Sequence, residues 1–88
     1  MACYVVAYDL NTLGQNYDCI TGKLESLPNC HTQKSVWLVE HAGPETALRD
    51  YLLPCLDAND RLFVSEVSRS WAGRGMPVCA KWLNDRGY

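Results

Sequence analysis

Asp9 is the residue whose type and position point most directly to chemistry: a carboxylate closing the apolar run Tyr4-Val5-Val6-Ala7-Tyr8, with the polar stretch from Asn11 to Asn16 soon after it. A hard cation such as Mg²⁺ takes carboxylate oxygen and water, typically one or two protein carboxylates together with substrate phosphates. One aspartate per chain is a thin site. A twofold axis changes that, because an isologous interface brings the same residue from each subunit to the axis and offers two carboxylates to one ion. The competing reading is structural, a strand-end aspartate that caps the turn after it. Tyr8 beside it, and Ser35 at the head of the run Val36-Trp37-Leu38-Val39, are the supporting candidates. Ser35 either hydrogen-bonds near Asp9 or simply opens a strand.

A second constellation is Arg69-Ser70-Trp71-Ala72-Gly73-Arg74-Gly75, two guanidinium groups flanking an indole in a glycine-containing loop. Arginine grips phosphate with a bidentate fork and tryptophan offers a face on which a base can stack. Arg69, Arg74 and Arg61 are therefore expected to hold a nucleic-acid backbone, with Trp71 either stacking on a base or folding back onto the core. His31, His41 and Cys30 lack a second ligand at the two-to-four-residue spacing of a zinc site. No pattern puts a cysteine beside a base for nucleophilic chemistry.

The elements that must position these groups can be read from local pattern. Tyr4–Tyr8 is a strand ending near Asp9. Tyr17, Ile20, Leu24 and Leu27 recur at helical spacing behind Asn16 as a cap, and Pro28 stops that helix. Residues 30–41 form one extended segment, or a short strand and a longer one broken near Lys34. Gly43-Pro44-Glu45 opens a second helix with proline in its first turn and a carboxylate at the positive end of the dipole. Its expected buried face is Ala47, Leu48, Tyr51, Leu52 and Cys55, and Pro54 ends or bends it by about Leu53. A turn at 57–60, a strand at 61–67, a flexible loop at 70–75 and a short helix from Pro77 carrying Val78 and Trp82 complete the chain.

That order predicts an α+β fold, a ferredoxin-like two-layer sandwich (βαββαβ with a short C-terminal helix) in which two helices lie on one face of a mostly antiparallel sheet. The alternative is a three-strand α/β unit with a parallel pair. With 88 residues there is room for one domain, spanning residues 1–88. The formal charge of −2 excludes a globally basic nucleic-acid wrapper. Charge is uneven, however: residues 1–60 carry three bases against eight acids, and residues 61–88 carry five bases against Glu66 and Asp85. Any nucleic-acid surface should thus come from the last third. Five widely spaced cysteines without a C-x-x-C pair predict free thiols rather than a disulfide framework, and no secretory leader or membrane-spanning run is visible. A cytoplasmic protein with no membrane contact is the expectation.

Tyr4-Val5-Val6-Ala7-Tyr8-Asp9-Leu10, Ser35-Val36-Trp37-Leu38-Val39 and Asn59-Asp60-Arg61-Leu62-Phe63-Val64, in that order and spacing, resemble the CRISPR-associated protein 2 superfamily, in particular its stand-alone SinR-like branch. Trp71-Ala72 to Trp82-Leu83 is similar to the tail of that branch. The resemblance implies a ferredoxin-like fold, a symmetric homodimer and, in some members, a Mg²⁺-dependent endonuclease acting on RNA or DNA with the aspartate that ends the first strand, here Asp9 as both catalytic and metal-binding residue. The virulence-associated protein D ribonucleases are relatives of the same fold, and a small toxin directed at cellular RNA is a further role. Many nuclease members carry basic residues just after the aspartate, whereas this chain has Asn11, Thr12, Gly14, Gln15 and Asn16. Some members are instead dimeric scaffolds, so a non-catalytic module docking on a protein partner in an antiviral defence complex is the other expectation.

Overall fold

β-Branched and aromatic residues make Ala2–Asp9 a strand, β1, and its alternation is apolar on both sides, as suits a strand covered on both faces. In the computed structural model, which describes residues 1–11 and 17–88, it is followed by α1 (Tyr17–Glu25), β2 (Asn29–Gln33), β3 (Val36–His41), α2 (Glu45–Leu52), a 3₁₀ turn (Leu53–Cys55), β4 (Arg61–Glu66) and α3 (Pro77–Asp85). The expected Asn16 cap and most of the loop after Asp9 lie outside the described residues. The break near Lys34 is real. β2 and β3 form a hairpin turning at Lys34-Ser35, with an irregularity between His31 and Gln33.

The four strands form one sheet in the order β2-β3-β1-β4, and every neighbouring pair is antiparallel. The fold is α+β, and the alternative with a parallel neighbouring pair is excluded. Register then assigns the faces. Tyr4, Val6 and Tyr8 of β1 stand opposite Val39, Trp37 and Leu62, and form the main core with Ile20 and Leu24 of α1 and Leu48 and Leu52 of α2. On the opposite face Cys3 and Leu38 meet Cys79 and Leu83 of α3, with Trp71, Met76 and Trp82 packed around them. The sandwich therefore has a third, partial layer.

This packing corrects the expected face of α2 and assigns the face of α3, which local pattern leaves open. In α2 the buried residues are Leu48, Leu52 and, in the 3₁₀ turn, Cys55, while Ala47 and Tyr51 are exposed. Tyr51 lies at the rim, where its carbonyl accepts from Lys23 Nζ at 2.8 Å. In α3, Cys79 and Leu83 are buried, Val78 is 75% exposed and Trp82 is half-buried. In both helices an i, i+4 pair faces the sheet, and the neighbouring apolar residues are turned aside.

The cysteines are also corrected. Cys19 of α1 is bonded to Cys55, and Cys30 of β2 to Cys79 of α3; Cys3 is free and buried. These pairs lie 36 and 49 residues apart in sequence, and only the topology brings their Cα atoms to 5.5 and 5.8 Å. The cytoplasmic expectation rested on free thiols and on the lack of a visible secretory leader, and pairing four of the five cysteines removes the first of these grounds, since disulfides persist in oxidising compartments. Among the described residues no helix is long and apolar enough to cross a membrane.

Candidate nucleic-acid interface

Of the expected site residues, Asp9 and Arg61 form one group and Arg69, Trp71 and Arg74 a second, while Tyr8 turns to the other face of the sheet. Asp9 is exposed at the end of β1, and the β1–β4 register sets it directly opposite Arg61, also exposed. Directly opposed residues on antiparallel strands have Cβ atoms about 5 Å apart and point to the same face. The three ion pairs of the described residues, Arg49–Asp50, Lys81–Asp85 and Arg86–Glu40, include neither of them. Ala7 and Phe63, the next opposed pair on this face, join them in lining an open depression of about 310 Å³.

The chain around this strand end is fastened from below. Asp60 accepts the backbone N–H of Asn11 at 2.8 Å and of Asp57 at 2.9 Å, and Asn11 Nδ2 donates to the Asn59 carbonyl at 3.1 Å. The exit of β1 is thereby held against the turn that starts β4. Ser35 contributes through its backbone, its carbonyl accepting the Tyr8 N–H at 3.1 Å. The Tyr8 ring points the other way, into the main core, where its hydroxyl accepts from Trp37 Nε1 at 3.1 Å. Burial raises the Tyr8 pKa above its usual 10, against the lowering effect of that hydrogen bond. Tyr8 supports Asp9 by anchoring the strand.

Arg69, Trp71 and Arg74 do not meet Asp9 directly. Arg69 lies two residues after Val67, whose N–H donates to the Cys3 carbonyl at 2.8 Å, and the Arg69 Nε donates to the Gly87 carbonyl at 3.1 Å. Cys3 is six residues up β1 from Asp9, or about 20 Å at strand rise. Trp71 is half-buried against the second core, as the fold-back reading expects, yet it also walls a cleft of about 260 Å³ over Val5, Val36 and Leu38. The loop closes this wall at Gly73, where a Cβ would approach Met76 Sδ to 2.7 Å, and turns into α3 at Gly75, whose φ of 72° favours glycine. Arg74 lies exposed between those glycines.

The basic last third is thus partly committed to structure. Lys81 pairs with Asp85, Arg86 pairs with Glu40 and covers Trp82, and Arg69 is tied to Gly87. Arg61 and Arg74 remain as exposed cations on or beside the α3 face. The residue that sequence reasoning missed is Phe63, 62% exposed. Its signal was available: in Leu62-Phe63-Val64 the flanking residues belong to the main core, so strand alternation turns Phe63 outward. No group of three or more histidine, cysteine, aspartate or glutamate side chains able to hold a metal occurs among the described residues. No model of a protein family matches the chain, and no solved structure matches it.

Proposed function

We propose that this protein is a ferredoxin-like homodimer that binds nucleic acid at the Asp9 end of its sheet and hydrolyses phosphodiester bonds of RNA or DNA there with Mg²⁺. The ferredoxin-like reading is supported by the strand order β2-β3-β1-β4 and by two crossovers, through α1 and α2, on one face. The observation that carries the function is the juxtaposition of Asp9 and Arg61, an exposed carboxylate and an exposed guanidinium at the end of adjacent strands. A phosphodiester needs both, a cation to hold its oxygens and an anion to recruit a metal or orient water.

The fit to Mg²⁺ is conditional on the dimer. One chain offers one carboxylate, and the neighbouring guanidinium repels a second cation until phosphate is present. Asp9 from two copies, with phosphate oxygens, meets the needs of Mg²⁺. When bound, Mg²⁺ would supply an acidified water as nucleophile. Asp9→Asn keeps the shape and removes the charge. Mg²⁺-dependent cleavage of RNA or DNA should fall at least about 100-fold with an unchanged circular dichroism spectrum. Equal degradation by the purified variant would assign the activity to another site or a contaminant.

A second reading, a non-catalytic dimeric module docking on a protein partner, is favoured by β4. Among the described residues its only sheet neighbour is β1, so its outer edge carries unpaired backbone groups beside exposed Phe63. Salt separates the readings. Phosphate contacts make affinity for an oligonucleotide fall steeply as salt rises, whereas absence of such binding favours the docking module.

A further inference from the structure

The α3 face of the sheet is only partly covered. α3 sits over Cys3 and Leu38, the loop at 68–76 brings Trp71 over Val5, and beyond them Ala7, Phe63, Asp9 and Arg61 stay open. Two aromatic side chains flank this uncovered strip from opposite sides, Trp71 on the loop and Phe63 on β4. Between them runs β1, which presents Ala7, so no bulky side chain fills the space between Phe63 and Val36.

The Trp71 cleft has a form that suits a flat heterocycle. Its floor is aliphatic, formed by Val5, Val36 and Leu38; its wall is the Trp71 indole and the Met76 thioether; Gln33, exposed, stands at its lip with both amide donors and a carbonyl acceptor. About 260 Å³ gives room for one ring system. Exposed Arg74 follows in the same loop, and exposed Arg61 lies beyond Phe63, so positive charge flanks an apolar strip. Aromatic platforms beside cations are the arrangement that grips single-stranded nucleic acid, and four-stranded sheets use their open face in this way.

We infer that the strip from the Trp71 cleft to Phe63 is a binding site for unpaired bases of single-stranded nucleic acid, one base seated on Trp71 with its polar edge read by Gln33 and a second stacked on Phe63. The inference deepens the nucleic-acid reading above and rests on it. It also gives the strand a direction of travel. From Val5 to Asp9 along β1 is about 13 Å, so a chain seated on Trp71 and crossing Phe63 arrives with a phosphate near Arg61 and Asp9.

The three tryptophans allow a test that does not depend on cleavage. Trp37 donates its Nε1–H to Tyr8 on the other face, and Trp82 lies under the Arg86 guanidinium 4.2 Å away, so their indole signals are internal controls for Trp71. The oxidised, ¹⁵N-labelled protein is titrated in EDTA with uridine 5′-monophosphate, with ribose 5-phosphate and with oligo-U and oligo-dT. The expected result is a shift of the Trp71 indole and the Gln33 side-chain amide with the nucleotide and both oligomers, and none with ribose 5-phosphate. Phe63→Ser, a change at an exposed position, should weaken oligomer binding about tenfold and leave the nucleotide shifts intact. A still Trp71 signal, equal shifts with ribose 5-phosphate, or an unaffected Phe63→Ser variant overturns the inference. Because no metal is present, the result is the same whether or not Asp9 is catalytic, and Mg²⁺-dependent cleavage with a still Trp71 would defeat this site alone.

Discussion

Three tyrosine hydroxyls tie distant parts of this chain together. Tyr4 donates to the Gly43 carbonyl at 2.8 Å, Tyr8 accepts from Trp37 at 3.1 Å, and Tyr88 donates to Glu40 Oε2 at 2.9 Å. Ionising any of them places charge in a desolvated setting or against a carboxylate, so all three are pushed above the usual 10. Tyr88 reaches about 12, from desolvation first and then from its hydrogen bond to Glu40 and the charge of Glu40. In the unfolded chain the group titrates near 10, so the native state holds the proton more tightly. The stabilisation is fully present below pH 10 and is lost as pH rises through about 12. Tyrosinate absorbance of the native protein should therefore lag that of the denatured protein over this window, with Tyr88→Phe removing part of the lag; coincident curves would refute the assignment. The same physics protects Cys3, whose thiol is pushed up to about 11 by burial and, less, by Glu40. It should resist alkylation at pH 8 in the oxidised native protein and react on unfolding, as measured by mass spectrometry.

At the scale of elements, the disulfides decide how α3 behaves. α3 has nine residues, too few to be stable alone, and it is held by Cys79 and Leu83 on the sheet, the Cys30–Cys79 bond and the Arg86–Glu40 pair. Closing a loop of about 50 residues lowers the entropy of the unfolded chain by the equivalent of about 4 kcal/mol. Cys30→Ser with Cys79→Ser should shift the denaturant midpoint down by an amount equal to a loss of roughly 2–4 kcal/mol, and dithiothreitol should have little further effect through that bond; an unmoved midpoint would show that packing alone holds α3. This is also where sequence reasoning stopped short. The strands, the hairpin break at Lys34 and the helix starts near Pro44 and at Pro77 were legible because alternation, turn residues and proline act locally, although Pro44 stands as an extended N-cap before α2 rather than in its first turn. The side of the sheet that α3 covers was not legible, since Val78, Cys79, Trp82 and Leu83 offer apolar surface in two directions. Nor was the cysteine pairing, which depends on α1 lying beside α2 and on α3 crossing β2.

For the whole molecule, sharing of Asp9 in the proposed homodimer depends on where its twofold axis lies. Asp9 was legible as a strand-end carboxylate, and Arg61 as a strand-start cation, but their pairing needed the β1–β4 register, and the axis is a property of two chains that no single-chain pattern encodes. The unpaired β4 edge offers one axis. Antiparallel pairing of two β4 strands about Phe63 would stack the two exposed rings and extend the sheet to eight strands. Each Asp9 is one strand further out and level with Arg61, so strand spacing and rise set the two carboxylates about 20 Å apart, far beyond what one ion can bridge. A shared cation needs an axis beside the Asp9–Arg61 end instead. The two assemblies predict different stoichiometry. With the axis beside Asp9, calorimetric titration of Mn²⁺ into the protein with a non-cleavable oligonucleotide saturates at one ion per two chains, and Asp9→Asn abolishes the signal while sedimentation still shows a dimer. With the axis at Phe63, Phe63→Ser shifts the protein toward monomer, and Mn²⁺ binding is either absent or one ion per chain. The second pattern would end the shared-cation mechanism, because Asp9 and its counterpart would then act alone or not at all.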